Sequence, residues 1–208
     1  MKVVKFLSIL LLGGAILTAC SESKTQEKNV VTKTDVAEVV YKNIMTRTSI
    51  RQFTAQQIAK DTLDLIVKAG MAAPSAVNAQ PWAFVVVTEK AVLDSLNVKH
   101  PYSNLKTATA AVIVCGNLEK AMEGAGQEYW VQDCSAASEN ILLAAHAFGI
   151  GAVWCGVYPI KERIQAVSEV LRLPENIIPL NIITMGYPAE NPEPKDKFKS
   201  DNIHYQNW

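Results

Sequence analysis

The sequence is poor in the residues that build metal centres and disulfide frameworks. Four cysteines and three histidines are spread over 208 residues, with no CxxC pair and no spacing of the kind that ligates zinc, so a metal site is not expected. Apart from Cys20, the cysteines are Cys115, Cys134 and Cys155, all in apolar or helical stretches where a small buried thiol is the default. His100, His146 and His204 are scattered, and His146 falls in an apolar helical run as a packing residue. Neither sign of charge dominates, with 20 Lys and Arg against 20 Asp and Glu. No basic block or stripe is present, which argues against nucleic acid as a partner. The chain also lacks an internal repeat and an apolar run of the roughly 20 residues that a permanent transmembrane helix needs.

What is present begins at the N-terminus. Lys2 and Lys5 precede an apolar stretch from Phe6 to Leu17, interrupted by Gly13 and Gly14. As a helix it would span about 18 Å, short of the ~30 Å of bilayer hydrocarbon. A positive start, a short apolar run and the small residues Thr18 and Ala19 have the form of an export signal. The quartet Leu17-Thr18-Ala19-Cys20 resembles the lipobox of bacterial lipoproteins. That resemblance implies a signal peptide over residues 1–19, acylation of Cys20, and a mature protein exported and lipid-anchored to a bacterial membrane, in the periplasm or cell envelope. An ordinary secretory signal with a chance cysteine is the alternative. Residues 20–34 are polar and aperiodic and read as a flexible tether. Residues 35–208 are of a length usual for one domain with its own core. Loss of Lys2 and Lys5 leaves 18 basic against 20 acidic side chains, a net of −2.

Along that domain, Asp35 with Glu38 makes a capping-box pattern ahead of a helical stripe of Val36, Val39, Val40 and Ile44. Thr54 with Gln57 repeats the pattern and predicts a helix through Ile58, Leu65, Ile66 and Ala69, ending near Gly70. A Pro-bounded loop follows, then a strand at 82–88, a short helix at 89–96 and a fully apolar strand at 110–115. The longest helix is predicted from Gln127 to Phe148, burying Ala136, Ile141, Leu142, Ala145 and Phe148, with Gly149 as its C′ residue. Residues 153–157 are ambiguous. Pro159 suits the first turn of another helix that ends before Pro174, and a strand follows at 180–185. Many helices and few strands predict an α+β fold with helices packed around a small central sheet. The tail to Trp208, with Tyr205 near its end, is long and aromatic enough to embrace another subunit.

Four stretches carry chemistry. In Arg47-Thr48-Ser49-Ile50-Arg51-Gln52-Phe53, guanidiniums and hydroxyls alternate between two helices, as a phosphate and a sugar-like chain require; complementing a helix dipole is the plainer role. Ala73-Pro74-Ser75-Ala76-Val77-Asn78-Ala79-Gln80-Pro81-Trp82 offers amide and hydroxyl partners in a loop that opens into a buried strand. Gly149-Ile-Gly-Ala-Val-Trp-Cys-Gly156 has the glycines of a dinucleotide fingerprint, but it follows a helix and feeds an extended segment, the reverse of what that fingerprint needs. Gly186-Tyr-Pro-Ala-Glu190 precedes Pro194-Lys195-Asp196-Lys197, whose lysines alone would be ordinary surface charge.

Taken in order, RTSIRQF, PSxxNxQPW, WVQD…GIGAVWCG and GYPAE…PKxK resemble the FMN-dependent nitroreductase family over about residues 36–208. The resemblance implies an α+β homodimer with two FMN sites at the subunit interface, each built from both chains. Arg47, Ser49 and Arg51, with Thr48 beside them, match positions that hold the FMN phosphate and ribityl chain. Pro74, Ser75, Ala76 and Asn78 match a loop that reaches the flavin ring from the other subunit. Val153, Trp154, Cys155 and Gly156 match a segment whose backbone amides approach the ring, with the Cys155 or Gly156 N–H as candidate donor to N5. Lys195 and Lys197 match a tail that closes on the phosphate, although lysine at the last position replaces an arginine fork by a point charge. The implied activity is two-electron, ping-pong reduction of nitro, quinone or other electron-poor small molecules with NAD(P)H, without a side-chain acid or base, so no catalytic residue is named. Only residues 89–109 separate the first two strands, too few for the lid of iodotyrosine-deiodinating relatives. A membrane-tethered flavin electron carrier fed by a non-nicotinamide donor is the alternative.

Overall fold

The computed structural model describes residues 33–208; the export signal, Cys20 and nearly all of the tether lie outside the described residues. Among the described residues five helices, α1 (Lys33–Thr46), α2 (Lys60–Met71), α3 (Lys90–Lys99), α4 (Tyr129–Ala147) and α5 (Lys161–Leu171), enclose four strands. The strands are β1 (Trp82–Val87), β2 (Ala110–Asn117), β3 (Gly151–Gly156) and β4 (Ile177–Gly186), in the order β1-β2-β4-β3, all antiparallel. The α+β architecture read from the sequence is the one found.

Alternation along the two central strands divides the core. Val112 faces Ile183 and Ile113 faces Ile182 in register. Val112 and Ile183 pack with Ile66 of α2 and Ile141 of α4, while Ile113 and Ile182 pack with Leu93 and Leu96 of α3 and Val167 of α5. The result is a helix–sheet–helix sandwich, and both faces of β2 and β4 are buried. Gly149, at φ +71°, turns the chain out of α4 into β3, as its C′ position in the sequence suggested. β3 thus forms one edge of the sheet, running back along α4.

Several sequence expectations give way. No helix starts at Thr54: the Thr54 N–H donates to the Tyr187 carbonyl at 2.9 Å and Phe53 bridges Pro188, so the segment is held extended and α2 begins at Lys60. The described part of α1 starts at Lys33, so Asp35 lies within the helix rather than at its cap. The ambiguous stretch resolves into strand up to Gly156, with Val157 just past its end, because β4 supplies a partner that local sequence cannot reveal. Pro159 precedes α5 and follows Tyr158 through a cis peptide bond. Phe148, expected on the buried side of its helix, is exposed, as is the entire α1 stripe. Cys115, Cys134 and Cys155 are buried free thiols, and burial pushes Cys115 and Cys134 up to about 12. Among the described residues no helix is long and apolar enough to cross a membrane.

Candidate functional site

The segment from Arg47 to Phe53 is laid along the open edge of β3. Ser49 pairs in parallel with Ala152, and the Ile50 N–H donates to the Ala152 carbonyl at 3.1 Å. Two glycines permit this close approach. Gly151 and Gly186 are cross-strand partners; a Cβ on the first would lie 2.7 Å from Ile50 Cγ2, and one on the second 2.9 Å from Phe53 Cβ. The far side of the segment is pinned by the chain beyond β4. Glu190 Oε1 accepts the backbone N–H groups of both Arg51 and Gln52, and the Ala189 N–H donates to the Gln52 carbonyl at 2.9 Å.

A cleft of about 310 Å³ opens beside this ribbon, lined by Arg47, Thr48, His146, Gly151, Glu190 and Pro194 among others. Arg47 is mostly covered, with Nε 3.5 Å from the carboxylate of Glu139 on α4. Since Glu139 is half exposed, the pair is screened by solvent and leaves the guanidinium available to an anion. His146 is half-buried rather than packed in the core. Thr46 Oγ1 donates to the Lys42 carbonyl at 2.8 Å, so at 3.0 Å from His146 Nε2 it accepts that proton. Burial, then the nearby Arg47 charge, lower the pKa of His146. Beyond Pro194 the tail leaves the cleft, and Lys195 and Lys197 are exposed.

The Pro74–Asn78 loop lies elsewhere. The Ala76 N–H donates to buried Asp133 Oδ1 at 2.9 Å, Ser75 Oγ accepts the Gln80 N–H at 2.9 Å, and Gln80 Nε2 donates to Asn78 Oδ1 at 3.1 Å. Val77, Asn78 and Gln80 all have φ between +48° and +58°, an unusual density of left-handed non-glycine residues and a sign of local strain. Asp133 and His146 are thirteen residues apart on α4, about 20 Å along its axis. Within one chain, therefore, the loop and the His146 end of the cleft sit toward opposite ends of α4.

The outer half of β3 completes the arrangement. The Val157 N–H donates to the Leu180 carbonyl at 3.1 Å, whereas the Ala152 carbonyl faces Ile50. Backbone groups of alternate residues point to opposite edges of an antiparallel strand. The Val153 and Cys155 N–H groups are accordingly directed at β4, while those of Trp154 and Gly156 point away from it. Trp154 is 37 % exposed. A Cβ at Gly156 would meet nothing within 4 Å, so there is open space at this end of the strand.

Behind that dipeptide lies a network that sequence reasoning missed. The Gly156 carbonyl accepts from Arg163 Nη1 at 3.0 Å and from His100 Nε2 at 3.2 Å. Cys155 Sγ donates to the Ser103 carbonyl at 3.1 Å and accepts from Asn104 Nδ2 at 3.4 Å. His100 is 2 % exposed. Burial lowers its pKa, the carbonyl partner opposes this, and the Arg163 charge lowers it further. Glu190, Asp133, His100 and Arg163 act across the fold on backbone groups, and Asn104 on the Cys155 thiol; Glu190 and Asp133 fall within the quoted GYPAE and WVQD, while no local motif marks His100, Asn104 or Arg163.

An α+β sheet with a cationic, hydroxyl-bearing cleft and outward amides on one edge strand has the parts of a site for a phosphorylated planar cofactor. The sequence pattern of the nitroreductase family matches residues 44–99 and 97–187. A protein of Methanothermobacter thermautotrophicus, named as a candidate NADH dehydrogenase/NAD(P)H nitroreductase, is 44 % identical over 181 residues, 86 % of this chain and 90 % of that one. A crystal structure from Bacteroides thetaiotaomicron, described in the same words, is 43 % identical with a TM-score of 0.77, covering 82 % of this chain and 98 % of its own. A nitroreductase candidate from Desulfovibrio desulfuricans in complex with FMN is 28 % identical with a TM-score of 0.68, covering 81 % and 97 %. The chain belongs to the nitroreductase family.

Proposed function

We propose that this protein is an FMN-dependent NAD(P)H oxidoreductase that passes two electrons, in ping-pong fashion, to nitro, quinone or other electron-poor small molecules. The observation that carries the reading is the ribbon of Arg47–Phe53 along β3, which brings Arg47 and Thr48 into one cleft next to a strand edge with outward N–H groups. The residues fit the cofactor. A guanidinium fork and a hydroxyl suit a phosphate, the covering of Arg47 strengthens that contact, and the open space at Gly156 leaves room for a flat ring.

Arg47, Thr48 and Ser49 bind the phosphate and ribityl end; Lys195 and Lys197, exposed just past the cleft in this chain, are the tail positions that would have to fold back to close on it. Arg51 serves the same end and is oriented through its own N–H by Glu190. The Gly156 N–H, directed away from β4, is the amide that meets N5; the Cys155 N–H is directed into the sheet. Pro74, Ser75, Ala76 and Asn78 serve the site of a neighbouring subunit, consistent with their distance from His146. Bound FMN supplies the hydride chemistry, and the chain supplies binding, orientation and hydrogen bonding. No side-chain acid or base is assigned. The homodimer places the exposed α1 stripe and the aromatic tail against a second copy.

Turnover of NADPH with a nitroaromatic or a quinone tests the activity. Steady consumption with both substrates is expected, and a flavin reducible only by a quinol would instead point to a tethered electron carrier. For location, the reading is a lipoprotein acylated at Cys20 whose polar tether holds the domain within roughly 20 Å of a membrane surface. Cys20→Ala should shift the protein from the detergent to the aqueous phase on partitioning. Equal partitioning of both forms into the aqueous phase would refute the anchor.

A further inference from the structure

We infer that the connection between α3 and β2, with Arg163 of α5, is a latch that fixes the Gly156 peptide and through it the redox poise of the bound flavin; this rests on the FMN reading above. Glycine is the residue whose backbone most easily rotates, and Gly156 is the last residue of an edge strand, with no neighbour in position to restrain a side chain. Something else must hold it. Two donors converge on its carbonyl, His100 Nε2 at 3.2 Å and Arg163 Nη1 at 3.0 Å. A hydrogen bond to a carbonyl requires the proton on Nε2, so buried His100 is held in one tautomer.

The preceding residue is gripped from the same connection. Cys155 Sγ donates to the Ser103 carbonyl and accepts from Asn104, and Thr184 Oγ1 of β4 donates to that same carbonyl at 2.6 Å. Asn104 sits at φ +57°, and its amide also donates to the Tyr102 carbonyl at 3.1 Å, which fixes the turn. The exposed Tyr102 ring lies 5.3 Å from the Arg163 guanidinium, in cation–π range, and keeps that donor aimed. The Gly156 N–H belongs to the Cys155–Gly156 peptide and its carbonyl to the Gly156–Val157 peptide, so the grip on Cys155 and the two donors to the carbonyl restrain the planes on both sides of the glycine and together set the direction of the N–H. His100, Asn104 and Arg163 are thus positioning residues, acting through Gly156 without touching the cofactor.

The test uses the full holoprotein with Arg163→Met, which keeps the aliphatic stem and removes the donors, and His100→Leu, with His100→Gln as the variant that restores an N–H. Both donor-deleting variants should retain FMN yet shift the flavin midpoint potential and its visible absorption bands. They should lower kcat with little change in KM, and His100→Gln should return both readouts toward wild type. Retained FMN with wild-type potential and spectrum in both deletions overturns the latch. Should His100→Leu fail to fold, Arg163→Met, on a half-buried position of α5, decides the matter alone. A wild-type chain that binds no FMN would defeat the functional reading and still test the latch. In that case hydrogen exchange should be read at the Val157 amide of the apoprotein, which shares its peptide with the Gly156 carbonyl and donates to the Leu180 carbonyl, and should be roughly tenfold faster in Arg163→Met, the scale of one lost charge-assisted bond. Unchanged exchange would overturn it.

Discussion

α4 and α1 are both helices with apolar residues at helical spacing, yet the chain treats them in opposite ways. α4 buries Trp130, Cys134, Ala137, Ile141, Leu142 and Ala145 against the sheet and α2. α1 leaves Val36, Val39, Val40 and Ile44 between 50 % and 67 % exposed, and the tail ends with Trp208 entirely in solvent. Isolated exposed apolar residues are ordinary, but a contiguous stripe and an aromatic tail on one molecule are not. The α4 face is complete in one chain, whereas the α1 face is left open, and the proposed homodimer would supply its cover.

The sharpest way to break that comparison is to charge the stripe. Val39→Asp with Ile44→Asp should leave the fold of the single chain intact, since neither side chain enters its core, but should turn the dimer into a monomer and release the cofactor. Ultracentrifugation reads the first effect and absorbance the second; a charged variant that sediments as the wild type does would detach the stripe from assembly. Removing the tail before Pro192 should weaken both properties in the same direction.

Next in size is Arg47→Ala. Loss of one charge-assisted contact is worth about 1.5–3 kcal/mol, a roughly 10- to 150-fold fall in FMN affinity, measurable by fluorescence titration. The dimer should be less affected, which separates binding chemistry from surface coverage. Unchanged affinity would remove Arg47 from the phosphate end of the site.

Gly151→Ala is a smaller perturbation on the α4 side of the comparison. Its Cβ would meet Ile50 at 2.7 Å, and forcing the ribbon off β3 should destabilise the protein by about 1–3 kcal/mol. A lowered Tm accompanied by weaker FMN binding is expected. A lowered Tm with unaltered binding would mean that the ribbon does not have to lie flat for the site to work.

How much of this was legible in the sequence follows from how local each cause is. The strand at β2 was readable because eight consecutive residues, Ala110–Asn117, are almost all apolar and small enough to sit between two layers. The long helix was readable from its periodicity and from Gly149. The start of α2 was not, because Thr54 and Gln57 look like a cap and only the distant Tyr187 and Pro188 hold that segment extended. His146 was read as core because its neighbours are apolar; its partners Thr46 and Arg47 lie about 100 positions away. Within the proposed site, the residues assigned to the cofactor through their own side chains stood out as a motif. Those that bond to another residue's backbone, such as His100 and Arg163, carried no pattern of their own.

The central claim is that the ribbon along β3 holds FMN. The most direct test is the absorbance spectrum of the purified protein, followed by heat release and identification of whatever is bound. The account predicts a yellow protein with flavin bands, releasing close to one FMN per chain and no FAD. A colourless chain that takes up no FMN at micromolar concentration would contradict it.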